Sequence, residues 1–304
     1  MTIAVLIPCY NEEQTIERVV NDIKKKLPNA AVYVYDNNSE DRTIELAQKA
    51  GAIIRQEPIQ GKGNVVRSMF RHIDADIYVM IDGDDTYPVD EMHKLLQPIQ
   101  NEEADICIGD RLTNGIYKNE NTRLFHSFGN NLVKKLINRL FNADMKDIMS
   151  GYRAFSRRFV KTTPIISEGF EIETEITLFA LHNKLRIQQI PISFRERPEG
   201  SHSKLNTLSD GIKVLLTIFK LYKDYKPFAF FLTITIFLAL VGTGIGVPVI
   251  IDYVETGLVP KFPSAILATG CIILSAVSFS SGLILETIVK HHRQNFEIHF
   301  NQFR

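Results

Sequence analysis

Two long uncharged stretches constrain this chain more than any other feature. Phe228 to Ile251 contains no charged residue, and neither does Phe262 to Leu285. At about 1.5 Å per residue each would reach roughly 36 Å as a helix, enough to cross a bilayer core. The alternative, a pair of buried helices in a soluble core, fits poorly because uncharged runs this long rarely occur there. Lys213, Lys220, Lys223 and Lys226 precede the first stretch; Lys290, His291, His292 and Arg293 follow the second. The positive-inside rule then puts both flanks in the cytoplasm, joined through a short external turn. Between residues 205 and 225, Ile212, Leu215, Leu216, Phe219 and Tyr222 recur at helical spacing with lysines between them. That pattern fits an interfacial amphipathic helix, and equally a helix packed on a soluble domain.

The bulk numbers exclude little. Lysine plus arginine and aspartate plus glutamate each total 35, which lends no support to nucleic-acid binding. Cys9, Cys107 and Cys271 are far apart and form no CxxC pair, so they are expected as small buried residues rather than a disulfide framework. No basic residue precedes the short apolar run Ile3–Ile7, which reads as a strand and not as a signal peptide. The soluble part is therefore expected to stay in the cytoplasm.

From Ile3 onward, strand-like runs alternate with helical patterns. Strands are predicted at Ile3–Pro8, Ala31–Tyr35, Ala52–Arg55, Asp76–Ile81 and Asp105–Gly109. Helices are predicted at Thr15–Lys26, Thr43–Ala50, Lys62–His72, Val89–Asn101 and Thr122–Asn142. Such alternation means an α/β fold, a mostly parallel sheet covered by helices, which binds ligands at the carboxyl ends of its strands. Polar clusters sit at those ends: Asn11-Glu12-Glu13, Asp36-Asn37-Asn38-Ser39, Asp82-Gly83-Asp84-Asp85 and Asp110-Arg111.

Three of these segments carry chemistry. Asp82 and Asp84 follow an apolar strand at i and i+2, where two carboxylates can converge on one hard cation, Mg2+ or Mn2+. Taken alone the same residues also make an ordinary acidic turn. Asp36 ends a strand and can read the donor edges of a base or ribose, whereas Asp41 is accounted for as a helix cap. Gly61-Lys62-Gly63 opens a helix, where free amides and a lysine suit a phosphate. It lacks the dinucleotide and Walker glycine patterns.

In order, Pro8-Cys9-Tyr10-Asn11-Glu12-Glu13, the Asp36 segment, Gly61-Lys62-Gly63 and Asp82-Gly83-Asp84 resemble the family 2 glycosyltransferases of GT-A fold. Ser150-Gly151-Tyr152-Arg153-Ala154-Phe155, Gly169-Phe170-Glu171-Ile172-Glu173-Thr174-Glu175 and the Arg197-to-Leu205 segment look like the polyprenyl-phosphate branch of that family. This branch includes dolichyl-phosphate mannose synthases and bacterial undecaprenyl-phosphate glycosyltransferases. The resemblance implies that Pro8, Tyr10, Glu12 and Asp36 hold the nucleoside, that Lys62 contacts the donor, and that Asp82 and Asp84 serve the diphosphate and its metal. It assigns Arg153, Arg197, Ser203 and Lys204 to phosphate, with Arg123 and Ser127 further candidates for the lipid phosphate. Asp147 is a candidate for orienting the acceptor. Asp85-Thr86-Tyr87-Pro88 departs from the leucine-glutamine pair of many mannose synthases, which favours UDP-glucose or UDP-N-acetylglucosamine over GDP-mannose as donor. The chain has no tryptophan, so it lacks the QxxRW motif of processive synthases and single transfer is expected.

A phosphate monoester is already anionic at neutral pH, with a second pKa near 6. The expected chemistry is direct in-line attack on the anomeric carbon, with inversion and without a general base. A hydroxyl acceptor would need such a base, and a non-catalytic partner of a membrane assembly would not need intact Asp82 and Asp84. The implied organisation is a GT-A domain over 1–205, an amphipathic helix over 206–226, two transmembrane helices over 227–289 and a cytoplasmic tail over 290–304. Deleting 227–304 is then expected to damage lipid glycosylation more than nucleotide binding. Gly242, Gly244 and Gly246 would permit close helix packing, which leaves a homo-oligomer open.

Overall fold

The computed structural model describes residues 1–113, 124–195, 219–220 and 222–303, and at 124–131 and 133 the backbone alone. The chain divides into two compact units, one of Met1–Gly211 with Phe296–Arg304 and one of Ile212–Asn295.

The first unit is built on a seven-stranded sheet. In chain order its elements are β1 (Ile3–Cys9), α1 (Ile16–Lys26), β2 (Ala31–Asp36), α2 (Thr43–Lys49), β3 (Ile53–Gln56), α3 (Lys62–His72), β4 (Ile77–Met80), α4 (Met92–Gln100), β5 (Ile106–Asp110), α5 (Leu124–Phe141), β6 (Arg153–Ser156), α6 (Arg157–Thr162), α7 (Ile172–His182) and β7 (Ile187–Pro191). The strand order is β3-β2-β1-β4-β6-β5-β7. Pairings along β3, β2, β1 and β4 are parallel, as is β5 with β7, whereas β6 runs antiparallel to both β4 and β5. The alternating pattern therefore yields the expected mostly parallel sheet, with one reversed strand that it did not reveal.

Helix–sheet packing follows from spacing. On α1, Ile16, Val19, Val20 and Ile23 fall at i, i+3, i+4 and i+7, and all are buried against the sheet. The predicted helix Val89–Asn101 forms instead as a 3-10 turn, Val89–Glu91, followed by α4. The order along the sheet reverses at β1: β2 and β3 extend to one side, β4 to the other. Their carboxyl ends part there, leaving the crevice in which such sheets bind ligands.

One aromatic chain links the layers. Phe155 on β6 stacks on Phe159 of α6 with ring centroids 5.3 Å apart, and Phe159 meets Phe179 of α7 edge-on at 6.4 Å. Phe179 in turn meets Phe296 at 5.2 Å, and Phe296 lies 5.3 Å from Phe300. Residues 296–303 therefore pack as part of this unit rather than as a separate tail.

The second unit contains α8 (Pro227–Thr256) and most of α9 (Phe262–Gln302), both long and apolar enough to cross a membrane. Pro227 opens α8, where its missing amide costs nothing. Gly257 closes it with φ 72°, and its amide donates to Tyr253 O at 2.8 Å. The two helices are joined by polar contacts as well as packing: Ser275 Oγ donates to Thr235 O at 3.0 Å and Ser278 Oγ to Phe231 O at 3.2 Å. A Cβ at Gly242 would lie 3.0 Å from Ile272 and one at Gly246 3.4 Å from Ala268, while one at Gly244 would meet nothing. The close packing foreseen for these glycines is thus used within the hairpin at Gly242 and Gly246 but not at Gly244. Residues 219–220 and 222–225 are helical, and the rest of the amphipathic stretch lies outside the described residues. Cys9 and Cys107 are buried as expected, Cys271 is only partly buried, and none of the three is in a disulfide.

Candidate active site

Three strands bring the polar clusters to one edge. Cys9 pairs in register with Asp36, and Asp36 with Gln56, while Leu6 pairs with Met80 two residues before Asp82. Pro8, Tyr10 and Glu12 are half-buried at the end of β1. Asn37 organises the neighbouring loop: its amide donates to Cys9 O at 2.9 Å, its Nδ2 to Glu57 O and Ile59 O, and its Oδ1 accepts from Gly61 N at 2.7 Å. Asp41 accepts from the Thr43 amide just ahead of α2, but the N-cap position itself falls to Arg42, which makes no side-chain cap.

Asp36 stands out chemically. Its Oδ2 accepts from Ser39 N at 3.2 Å, but its Oδ1 is buried and has no hydrogen-bond partner among the described residues. Buried polar atoms are nearly always paired, so this oxygen is poised for a donor that the chain does not supply.

Asp82 lies beyond β4 between a cation and a glycine. Its Oδ1 is 2.6 Å from Lys62 Nζ, and Lys62 Nζ is also 2.6 Å from Glu173 Oε1. Burial opposes the ammonium's charge, but Asp82 and Glu173 together outweigh it and hold its pKa above the ordinary range. On the other side, a Cβ at Gly151 would fall 2.4 Å from Asp82 Oδ2. The Gly151 amide donates to Tyr87 Oη at 3.0 Å. The Ser150-Gly151 segment is therefore the floor on which Asp82 sits, and a larger residue would push the carboxylate off it. Gly83 is required similarly, since a Cβ there would lie 2.9 Å from Cys9 Sγ. Asp84 is buried, and its Oδ1 accepts from the amide and hydroxyl of Thr86 at 3.2 and 2.6 Å. Asp85, at φ 55°, pairs with Arg18 at 3.1 Å and Arg195 at 3.8 Å, so it serves the loop's shape.

Several expectations change. The amides of Gly63 and Asn64 are not free for phosphate, because both donate to Glu168 O, at 2.9 and 3.4 Å. Cβ atoms at Gly61 or Gly63 would collide with the backbone of Glu168 or Ser167, so these glycines allow close chain approach. Arg153 is not placed to bind phosphate. It is fully buried at the centre of the sheet, donating to Ser150 O at 2.8 Å, Ile148 O at 2.6 Å and Thr177 Oγ1 at 2.9 Å. Burial lowers its pKa to about 10. Arg153→Met is expected to destabilise the protein by about 2–4 kcal/mol, since it strands three buried acceptors. Thermal melting should show this loss while the acceptor KM of the folded fraction stays near wild type.

Asp147 accepts from Arg111 Nε at 2.7 Å and Nη2 at 3.0 Å. Both its oxygens are thus engaged, which removes it as an acceptor-orienting group and makes it the anchor of Arg111. Arg111 was noted in sequence only as part of a strand-end cluster and was given no role. Its guanidinium lies 5.5 Å from the Phe194 ring and 6.0 Å from Tyr87, at the carboxyl end of β5. Glu173 was also given no role, although its motif was visible. Arg123, Arg197, Ser203 and Lys204 lie outside the described residues, as does the side chain of Ser127.

Among the described residues no group of three or more His, Cys, Asp or Glu side chains is set to hold a metal. Asp82 and Asp84 offer hard carboxylate oxygens of the kind that suits Mg2+ or Mn2+ when substrate phosphate completes the shell. The donor set fits such a cation as a shared site and not as a protein cage.

The model of glycosyl transferase family 2 matches residues 4–163. The chain belongs to this family. Family membership makes it a glycosyltransferase. A glycosyltransferase of Haloferax volcanii named AglJ is 30% identical over 97% of this chain and 96% of its own length. A dolichyl-phosphate hexose transferase of the same organism is 33% identical over 72% of this chain and 92% of its own. Among solved structures, glucosyl-3-phosphoglycerate synthase from Mycobacterium tuberculosis, crystallised with Mn2+, UDP and its glucosylated product, superposes with a TM-score of 0.59 at 23% identity, covering 71% of this chain and 79% of the other. The GT-A fold expected of this family 2 member is the one observed.

Proposed function

We propose that this family 2 enzyme transfers one hexose or N-acetylhexosamine from a UDP-sugar to a polyprenyl phosphate, undecaprenyl or dolichyl, at the cytoplasmic face of a membrane, with inversion and with Mg2+ or Mn2+ bound. The observation that carries this reading is the pairing, in one chain, of a nucleotide-type strand edge with two membrane-length helices. The name of the dolichyl-phosphate hexose transferase supports the lipid phosphate as acceptor. The Mn2+ and UDP held by glucosyl-3-phosphoglycerate synthase support the donor and the metal.

The geometry supports this reading at several points. Asp36 Oδ1 offers a buried acceptor to a base or ribose donor group. Asp82 and Asp84 would hold a divalent cation together with substrate phosphate, and such a cation would offset the negative charge of the leaving group. Lys62 adds a fixed positive charge beside them. An acceptor phosphate oxygen attacks the anomeric carbon as the bond to the nucleoside diphosphate breaks, and no proton is transferred. Arg111, together with Arg123, Ser127, Arg197, Ser203 and Lys204 beyond the described side chains, supplies candidates for holding that phosphate. The topology has independent support: residues on both sides of the hairpin belong to the same compact unit. This supports a hairpin whose two flanks lie on one face of the membrane.

The test is a donor screen on purified full-length protein with polyprenyl phosphate, the product identified by mass. UDP-glucose or UDP-N-acetylglucosamine should give the glycosylated lipid phosphate, and GDP-mannose should not. With such a donor, kcat/KM should rise as pH passes about 6, where the phosphate takes its second charge, and then stay flat. A polyprenol acceptor working equally well, or a rate that keeps climbing above pH 8, would put a general base and a hydroxyl acceptor in its place.

A further inference from the structure

The ion triad at Asp82 has a direction. Lys62 Nζ is 2.6 Å from both Asp82 Oδ1 and Glu173 Oε1, yet the two carboxylates differ in setting. The Asp82 side chain is 24% exposed and faces the strand edge, whereas Glu173 is 5% exposed and Lys62 12%. The lysine thus bridges one open carboxylate and one closed one.

The closed half is rigidly built. Lys62 begins α3, whose next amides donate to Glu168 O. Arg67 of the same helix donates to the carbonyls of Ile165 and Ile166 at 2.7 Å each. Glu175 accepts from the amides of Ile166 and Ser167 at 2.9 Å, which ties that loop to the start of α7, where Glu173 lies. The spacing between Lys62 and Glu173 is therefore fixed by backbone and side-chain hydrogen bonds that do not involve Asp82.

We propose that Lys62 is an internal cation that occupies Asp82 in the donor-free enzyme, and that Glu173 retains it when a divalent cation with its nucleoside diphosphate takes Asp82 over. This rests on the metal-assisted reading above and adds to it a positioning role for Glu173. An ammonium and a divalent cation repel each other at one carboxylate oxygen, so one must yield. Without Glu173 the lysine would have no other anionic partner in the triad and would stay. With Glu173 it keeps a buried counter-charge after Asp82 turns to the metal, and it remains beside the diphosphate. The exchange involves ion-pair partners only, with no bond made or broken.

Net charge supplies the control. Lys62, Asp82 and Glu173 together carry −1, and the double variant Lys62→Met/Glu173→Gln also leaves −1, on Asp82 alone. Mn2+ affinity is measured by isothermal titration on full-length protein in detergent, with and without UDP. The double variant is expected to bind Mn2+ about tenfold more tightly than wild type without UDP, because nothing competes for Asp82. Glu173→Gln alone is expected to bind it about tenfold more weakly, because the lysine no longer has a second partner. Equal Mn2+ affinity in the double variant and wild type would mean that only summed charge matters, and would overturn the exchange while leaving the proposed function standing. Absence of Mn2+ binding by wild type even with UDP would overturn both. If the double variant does not fold, Lys62→Gln/Glu173→Gln preserves the charge sum and a hydrogen-bond donor to Asp82, and the same comparison decides.

Discussion

Replacing Asp84 by asparagine is expected to lower kcat/KM about 10³-fold with the fold intact. Asp84 is buried at the end of the strand edge, and its Oδ1 accepts from the Thr86 amide and hydroxyl. Asparagine keeps an oxygen for those two donors and removes the charge. The loss therefore reports on electrostatic stabilisation of the leaving diphosphate, for which single preorganised groups contribute roughly 10²–10³-fold in rate. Alanine should lose at least as much activity and also lower the melting temperature, since Thr86 is left with unpaired donors. Steady-state transfer at saturating Mn2+, read beside a thermal melt, separates the two effects. Near-normal turnover by the asparagine variant would remove Asp84 from the catalytic site.

The second large effect is expected at the far end of the chain. Phe300 is buried, and the Arg158 guanidinium lies 4.8 Å from its ring. Through Phe296 it joins the aromatic series that reaches Phe155 on the reversed strand. Phe300→Ala should cost about 3 kcal/mol, the low end for a buried phenylalanine. In a unit of this size that is a melting shift of roughly 6–12 °C. Removing residues 296–304 should cost more, because Phe179 then loses its partner as well. This revises the expected outcome of deleting 227–304. That deletion cuts into the folded catalytic unit and should impair nucleotide binding as well as lipid transfer. Nucleotide binding close to wild type in the truncated protein would show that the tail is dispensable.

Much of the fold was legible because β1 to β5 are short apolar runs separated by amphipathic helices, a pattern with few solutions. The reversed strand was not. Arg153-Ala154-Phe155-Ser156 begins with a charged residue, and a lone arginine in sequence reads as a phosphate ligand or a surface charge. Only three dimensions show its donors spent on Ile148, Ser150 and Thr177. The glycines flanking Lys62 misled for a related reason. A glycine that lets a phosphate approach and one that lets another backbone approach are identical in sequence, and here the neighbour is the backbone of Ser167 and Glu168. Glu173 was concealed by its position, because acidic residues are commonplace in the first turn of a helix. Phe296 and Phe300 do stand at i and i+4, a readable helical pair, but they follow so closely on a membrane-length segment that they passed for its tail. Asp36, Asp82 and Asp84 draw attention in sequence because they end or follow apolar strands, and the strand register brings those strand ends to one edge of the sheet.

The location of the last residues also sets an order of events during synthesis. The catalytic unit is made from the first stretch of chain and the final one. The ribosome must therefore pass through both long apolar stretches before Phe296 and Phe300 exist to finish the fold. A nascent chain held up before that point carries a catalytic domain with an open aromatic seam at Phe179. The aromatic seam at Phe179 is thus closed by residues translated after almost all of the chain that it joins.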